Sequence, residues 1–119
     1  MAAEPSDALV TGPGWASLTM VGEIDINSAP EYQPLVERMR DQRPRMIVVN
    51  LLRVSFMDSS GLGLIASLAR SCREQGGNVY LVDASEMVKA TVSACGLDQY
   101  VTLVDAEDPR LSESKNEFS

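Results

Sequence analysis

Hydrophobic positions repeat along the chain with two alternating periods, one typical of strands and one typical of helices. From Trp15 to Val21, apolar residues alternate with serine and threonine, which is the two-residue period of a half-buried strand. The run Met46–Leu51 is apolar and β-branched, as in a central strand covered on both faces. The predicted strands cover residues 9–10, 15–21, 46–51, 78–82 and 101–104.

Three segments between these strands have the spacing and the end signals of helices. At Ser28–Glu31, a capping hydroxyl, a first-turn proline and a glutamate predict the start of a helix. Residues 60–74 predict a second helix, which ends at Gly76–Gly77. Ser85 is placed to cap a third helix, and Gly96 lies where a left-handed residue is expected after it.

The order of these elements is a hairpin followed by three helices that alternate with strands. Connections from strand to helix to strand are parallel and right-handed. The pattern therefore predicts an α/β sandwich in which a small mixed, largely parallel sheet is flanked by helices. With 119 residues the chain has the length of one domain. We expect that domain over residues 9–104, between a flexible N-terminus, 1–8, and a disordered acidic tail, 105–119.

Charge and residue counts exclude several classes of function. The formal net charge of −7 disfavours binding to nucleic acid or to anionic lipid. The N-terminus lacks the regions of a signal peptide, and no stretch approaches about eighteen apolar residues, so we expect a soluble cytoplasmic protein without direct membrane contact. The absence of histidine removes Ser-His-Asp catalysis and most catalytic zinc sites. Cys72 and Cys95 are expected to be reduced, buried thiols.

The stretch SFMDSSGLG, residues 55–63, precedes the second helix and allows three interpretations. A dinucleotide site is suggested by Gly61-x-Gly63-x-x-Ala66 and by Asp83 after the next strand. Against it, the predicted strand ends about ten residues before the first glycine, and the chain is short for two nucleotide-binding halves. A catalytic serine is disfavoured because the chain has no histidine and both lysines lie far from the loop.

The third interpretation is a serine that another protein phosphorylates. Asp58 or Ser59 is placed to cap the helix, whose free N–H groups and dipole would tolerate a phosphate. A phosphate adds about −1.5 to −2 charges and would disturb a docked partner. Opposite the core stripe of this helix, Leu64 and Leu68 predict a flat docking face together with Ser60, Ser67 and Ser71. Two alternatives stay open: a second layer of the protein covers both leucines, or the loop is a simple cap with glycines that permit close packing.

Several segments resemble a known family. They are Gly22–Asp25, the strand ending at Asn50–Leu51, Ser55–Gly63, and Gly96–Leu97 after the third helix. Together they are similar to the anti-sigma factor antagonists, which are single-domain bacterial members of the STAS superfamily. The resemblance implies partner switching, in which the unphosphorylated antagonist binds an anti-sigma factor that is also an ATP-dependent serine kinase, and so frees the sigma factor. Phosphorylation then ends the binding, and a PP2C-type phosphatase reverses it.

Carried to this chain, the resemblance assigns the phosphoacceptor to Ser59, with Ser60 as the less favoured neighbour. It places two acids, Asp25 and Asp58, beside the acceptor and in the partner surface. Gly61 and Gly63 permit close approach at the start of the helix. Leu64 and Leu68, from the predicted docking face, complete the partner-binding or supporting positions.

The resemblance also implies what the chain does not do. ATP and magnesium belong to the kinase, so we expect this chain to be no enzyme and to hold no cofactor or metal. An alternative function is a constitutive STAS subunit of a signalling or membrane-transporter assembly. Many members of the family end in a further helix, which the polar tail of this chain does not predict.

Overall fold

A five-stranded sheet forms the centre of the molecule, and its strands lie side by side in sequence order. The computed structural model describes residues 8–112. The first two strands pair antiparallel, and all other neighbours are parallel. The strands are β1 (Leu9–Gly12), β2 (Trp15–Ile24), β3 (Met46–Met57), β4 (Asn78–Val82) and β5 (Thr102–Val104). The helices are α1 (Ala29–Asp41), α2 (Ser59–Glu74) and α3 (Glu86–Ala94).

All three helices pack on the same face of the sheet. Alternate residues of β2, β3 and β4 join the buried side chains of α1, α2 and α3 in one hydrophobic cluster. The strand residues in this cluster include Ala16, Leu18, Met20, Ile47, Val49, Val79 and Leu81. The predicted α/β class and the mixed, largely parallel sheet are therefore confirmed.

Part of the opposite face of the sheet, around Trp15, Met46 and Val48, is covered by the segment that follows β5. Pro109–Leu111 forms a short 3-10 turn, and Leu111 is buried with Trp15, Met46 and Val48. The prediction of a disordered tail from residue 105 is thus wrong as far as Leu111. The segment is polar on average, but one leucine anchors it on the sheet, and Asp83 Oδ1 accepts a hydrogen bond from Ala106 N at 3.2 Å. The remainder of the predicted tail, 113–119, and residues 1–7 of the N-terminus lie outside the described residues.

β3 is longer than predicted and leads directly into α2. The sequence predicts its end at residue 51, whereas the strand continues to Met57. Two register shifts against β2 give β3 extra residues, so its last buried side chains, Leu51, Val54 and Met57, are spaced by three instead of two. This spacing hides the second half of the strand from a search for a two-residue period.

The capping signals at the helix ends are mostly confirmed. The Ser85 side chain accepts a hydrogen bond from Val88 N at 3.2 Å at the start of α3. Ser28 precedes α1, but the prediction that its hydroxyl caps this helix is wrong, because the hydroxyl donates to Glu23 O instead. Gly96 has a φ of 80°, as expected for the left-handed position after a helix. Within residues 8–112, no helix combines the length and apolar character that crossing a membrane requires.

The two cysteines occupy different environments. Cys72 is buried in α2, and this burial raises the pKa of its thiol to about 11. Cys95 is exposed, so the prediction that both thiols are buried is wrong for this residue. α3 ends at Ala94, so Cys95 lies just beyond the helix, whose buried residues are Val88 and Val92.

We expect Ellman's reagent to modify Cys95 rapidly in the folded protein and Cys72 only after unfolding, because the thiolate is the reactive form and Cys72 is both shielded and protonated. Absorbance titration at pH 8 with and without guanidinium chloride measures this difference. The Cys95→Ser variant should show no rapid reaction. Equal rates for both thiols in the native protein would contradict the burial of Cys72.

Candidate functional site

The start of α2 is organised by Asp58. Asp58 is the N-cap residue, and its Oδ1 accepts a hydrogen bond from Ser60 N at 2.8 Å. Of the two capping residues that the sequence allowed, the structure therefore selects Asp58. Ser59 becomes the first helical residue; it is exposed, and its hydroxyl makes no hydrogen bond to any residue between 8 and 112. The hydroxyl is thus at the surface and is not needed to cap the helix.

Asp25 lies beside this cap at the end of the neighbouring strand. Ile24 and Met57 are paired in the sheet, so Asp25 and Asp58 directly follow paired residues. The Asp58 N–H donates to Ile24 O at 3.1 Å, which ties the two strand ends together. The structure therefore brings Asp25 and Asp58 together at the same end of the sheet, where Ser59 directly follows Asp58.

The Asp25 carboxylate holds its own turn in shape. Its Oδ1 accepts hydrogen bonds from Asn27 N at 2.9 Å and from Ser28 N at 3.1 Å. The Ser28 hydroxyl in turn donates to Glu23 O at 2.6 Å. The backbone N–H groups, Ser28 first and Asn27 second, lower the pKa of Asp25 from its usual value. At neutral pH the carboxylate is ionised, as any ordinary aspartate is, and it adds a negative charge at the end of β2.

Gly61 and Gly63 have different roles. Gly61 is buried, and a Cβ on it would lie 2.7 Å from Met57 Cγ and 2.8 Å from Ile24 Cγ2. At Gly63 a Cβ would meet nothing within 4 Å. The alternative that glycines permit close packing therefore holds for Gly61 and not for Gly63.

The glycines do not form a phosphate-binding loop. The argument from a long gap between strand and glycine is wrong, because β3 runs to Met57 and α2 begins two residues later. The structure supplies a different objection: both glycines lie inside the first turns of α2, and Met57 and Ile24 fill the space next to Gly61. In a dinucleotide fingerprint the first glycine forms the tight turn between strand and helix, whereas here Gly61 already lies within α2.

Leu64 and Leu68 do not form an exposed docking face. They are 5% and 0% exposed, respectively, and belong to the main hydrophobic cluster. α1 packs alongside α2 and covers them, so the predicted role of these two leucines in a partner surface is wrong. Of the small residues predicted to share that face, Ser71 is also buried. The alternative in which a second layer of the protein covers both leucines is the one that the structure adopts.

Ile26 is a surface residue that the sequence reasoning missed. Its side chain is 74% exposed at the tip of the Asp25 turn. It lines a shallow cleft of about 520 Å³ between the starts of α1 and α2, together with Pro30, Ser60 and Leu64. The sequence does contain a signal for this exposed residue, because an isoleucine stands between polar residues in a turn.

The comparisons with known proteins agree on one family. The model of the STAS domain family matches residues 8–109. An anti-sigma-B factor antagonist of Staphylococcus epidermidis is 30% identical over 88 residues, which are 74% of this chain and 82% of that protein. These matches agree with the resemblance that the motif predicted.

Solved structures show the same fold. A putative anti-sigma factor antagonist from Thermotoga maritima superposes with a TM-score of 0.72 at 25% identity, over 92% of this chain and 91% of that one. The Bacillus cell fate determinant SpoIIAA in its phosphorylated form gives a TM-score of 0.68 at 23% identity, over 93% of this chain and 97% of that one.

We expect opposite effects on stability from an alanine at the two glycines. Gly61→Ala should destabilise the protein by about 1–3 kcal/mol, because the methyl group overlaps Met57 and Ile24. Gly63→Ala should stabilise it by up to about 1 kcal/mol, because the methyl fits and alanine favours the helix. Urea unfolding followed by circular dichroism measures both. A loss of stability in Gly63→Ala would contradict the open space at this position.

Proposed function

Because the chain belongs to the STAS domain family, we propose that it is an anti-sigma factor antagonist whose binding is controlled by phosphorylation of Ser59. Unphosphorylated, it binds an anti-sigma factor that is also a serine kinase, and the sigma factor is released. Phosphorylation of Ser59 dissolves this complex. A PP2C-type phosphatase removes the phosphate and restores binding in the cytoplasm.

The proposal rests on one observation at the start of α2: the residue that caps the helix and the residue that would accept the phosphate are different. Asp58 caps the helix, and the adjacent Ser59 hydroxyl is exposed and makes no hydrogen bond to residues 8–112. A kinase can therefore reach the hydroxyl without breaking a contact that the fold uses. The relatives named anti-sigma-B factor antagonists support the choice of partner.

In this proposal the partner kinase catalyses the phosphoryl transfer. The Ser59 oxygen forms the new bond to the γ-phosphorus of ATP, the bond from that phosphorus to the ADP oxygen breaks, and a base of the kinase takes the hydroxyl proton. The described part of this chain places no base within hydrogen-bonding distance of Ser59. In the proposal the chain is accordingly a substrate and a binding protein, and ATP and magnesium are held by the kinase.

A phosphate on Ser59 would change binding more than folding. The helix N-terminus favours a negative charge by about 0.3–1 kcal/mol, which opposes the repulsion from Asp58 and Asp25. A partner docked over this surface would instead have to bury about −1.5 to −2 additional charges. The proposed switch therefore acts through repulsion and desolvation at the interface.

We expect the cognate anti-sigma kinase and ATP to add one phosphate to the chain, at Ser59. Intact-mass spectrometry and fragmentation of the peptide that contains residues 55–63 locate the group. Ser59→Ala should abolish the modification, whereas Ser60→Ala should leave it unchanged. Undiminished phosphorylation of Ser59→Ala would refute the assignment.

We expect Ser59→Asp to weaken binding to the anti-sigma factor at least tenfold, which corresponds to about 1.4 kcal/mol. Its stability should stay within about 0.5 kcal/mol of the wild type, because the side chain is exposed. Titration calorimetry and thermal unfolding measure the two quantities. Ser93→Asp, which adds the same charge at an exposed position of α3, is the matched control.

The same affinity measurement distinguishes a phosphorylation-controlled antagonist from a constitutive subunit of an assembly. A tight complex that Ser59→Asp and Ser59 phosphorylation both leave unchanged would favour the constitutive STAS subunit over the antagonist.

A further inference from the structure

The C-terminal ends of β2 and β3 extend beyond the strands on either side of them. β1 pairs with β2 only as far as Leu18, and β4 pairs with β3 only as far as Asn50. From there β2 and β3 continue as a pair to Ile24 and Met57. Residues 19–24 and 51–57 therefore form a two-stranded ribbon at one end of the sheet, which we call the β2–β3 ribbon.

The two sides of this ribbon differ in burial. One side faces the helices, and its side chains belong to the main hydrophobic cluster; they are Met20, Ile24, Leu51, Val54 and Met57. Val21 and Phe56 are adjacent to these residues in the chain and point to the other side, because a strand alternates its side chains between two faces. They are 51% and 40% exposed, respectively. Leu111 packs at the other end of the strands, next to Trp15 and Met46, and leaves the ribbon exposed.

Two charged residues complete a patch on the exposed side of the ribbon. Arg53 is paired with Val21, and Glu23 is paired with Phe56, in the register of the two strands. Paired residues of neighbouring strands are about 4.8 Å apart, and successive pairs on one face are about 7 Å apart. The four side chains therefore stand at the corners of a small rectangle, which we call the ribbon patch. The apolar residues occupy one diagonal of the rectangle, and the opposite charges occupy the other.

The charges of the ribbon patch are not used within the described fold. Arg53 and Glu23 are exposed, and neither side chain forms an ion pair with a residue between 8 and 112. Leu52, next to Arg53, is 65% exposed and adds apolar surface. Exposed apolar side chains that lie together beside charged ones are typical of protein interaction sites. The patch thus offers an apolar contact and one charge of each sign to another molecule.

A second copy of the chain matches this arrangement by symmetry. In a two-fold interface the same patch contacts itself. With the axis along the diagonal from Val21 to Phe56, each of these residues meets its own counterpart, and Arg53 of each copy meets Glu23 of the other. Both charges then acquire a partner of opposite sign, and the apolar residues cover one another. We propose that the chain forms a two-fold symmetric homodimer through its ribbon patch.

This dimer leaves α2 accessible, because the ribbon patch lies on the side of the sheet opposite the helices. The inference therefore goes beyond the proposed function and does not depend on it. The patch is small, and each copy carries a net charge of −7, so the association should be weak. We expect a dissociation constant on the order of tens of micromolar, as for transient complexes whose interfaces bury less than about 1,200 Å².

Sedimentation equilibrium of the full chain, at concentrations from about 5 to about 500 μM, tests for this dimer. The wild type should pass from monomer to dimer over this range. Glu23→Arg and Arg53→Glu should each dimerise at least tenfold more weakly, because every contact between the two positions becomes repulsive. An equimolar mixture of these two variants should associate like the wild type, since each variant supplies the charge that the other has lost. The matched control, Arg38→Glu at an exposed position of α1, should change the dissociation constant less than threefold.

Restored association in the mixture is a result that misfolding cannot produce, because one misfolded variant does not repair another. A wild type that stays monomeric at the highest concentration overturns the inference, and so do single charge reversals that dimerise like the wild type. If the reversals weaken association and the mixture does not restore it, the two-fold pairing of Arg53 with Glu23 is wrong. If Ser59→Asp prevents association and the reversals do not, the two copies meet through α2, and the ribbon patch is not the interface.

Discussion

The site depends on one contact, in which the start of α2 packs against the paired ends of β2 and β3. Gly61 has no side chain, so the helix can rest against Met57 and Ile24 at a distance that any Cβ would prevent. The hydrogen bond from Asp58 N to Ile24 O joins the same two strand ends. With the helix held there, Asp58 is in position to cap it, and Ser59 follows as an exposed residue.

Packing against α1 determines which face of α2 is available to a partner. α1 and α2 lie on the same face of the sheet, and Leu64 and Leu68 are buried between them. The stripe on the other side, which includes Leu62 and Ala66, stays half-buried and faces the segment that follows α3. The available surface therefore runs from Ser59 towards Arg70, on the α3 side of the helix.

Charge is distributed unevenly along α2: the N-terminal end is acidic and the C-terminal end is basic. A phosphate on Ser59 therefore affects the two ends differently. Asp25 and Asp58 lie at the N-terminal end, where the backbone N–H groups of Ser28 and Asn27 lower the pKa of Asp25. Arg70 and Arg73 lie at the other end. A phosphate on Ser59 strengthens the charge that is already present at its own end of the helix and leaves the basic end unchanged.

Periodicity and capping are local properties of neighbouring residues, so they were sufficient to predict the class of fold, the element order and the position of Ser59 at the start of a helix. The tertiary structure was needed to show that β3 reaches Met57, since the register shifts come from pairing with β2. It also decided that Leu64 and Leu68 are covered and that Leu111 anchors the segment after β5. α2 has apolar residues on two of its faces, and periodicity alone does not show which face is buried. The answer depends on residues that are distant in the sequence.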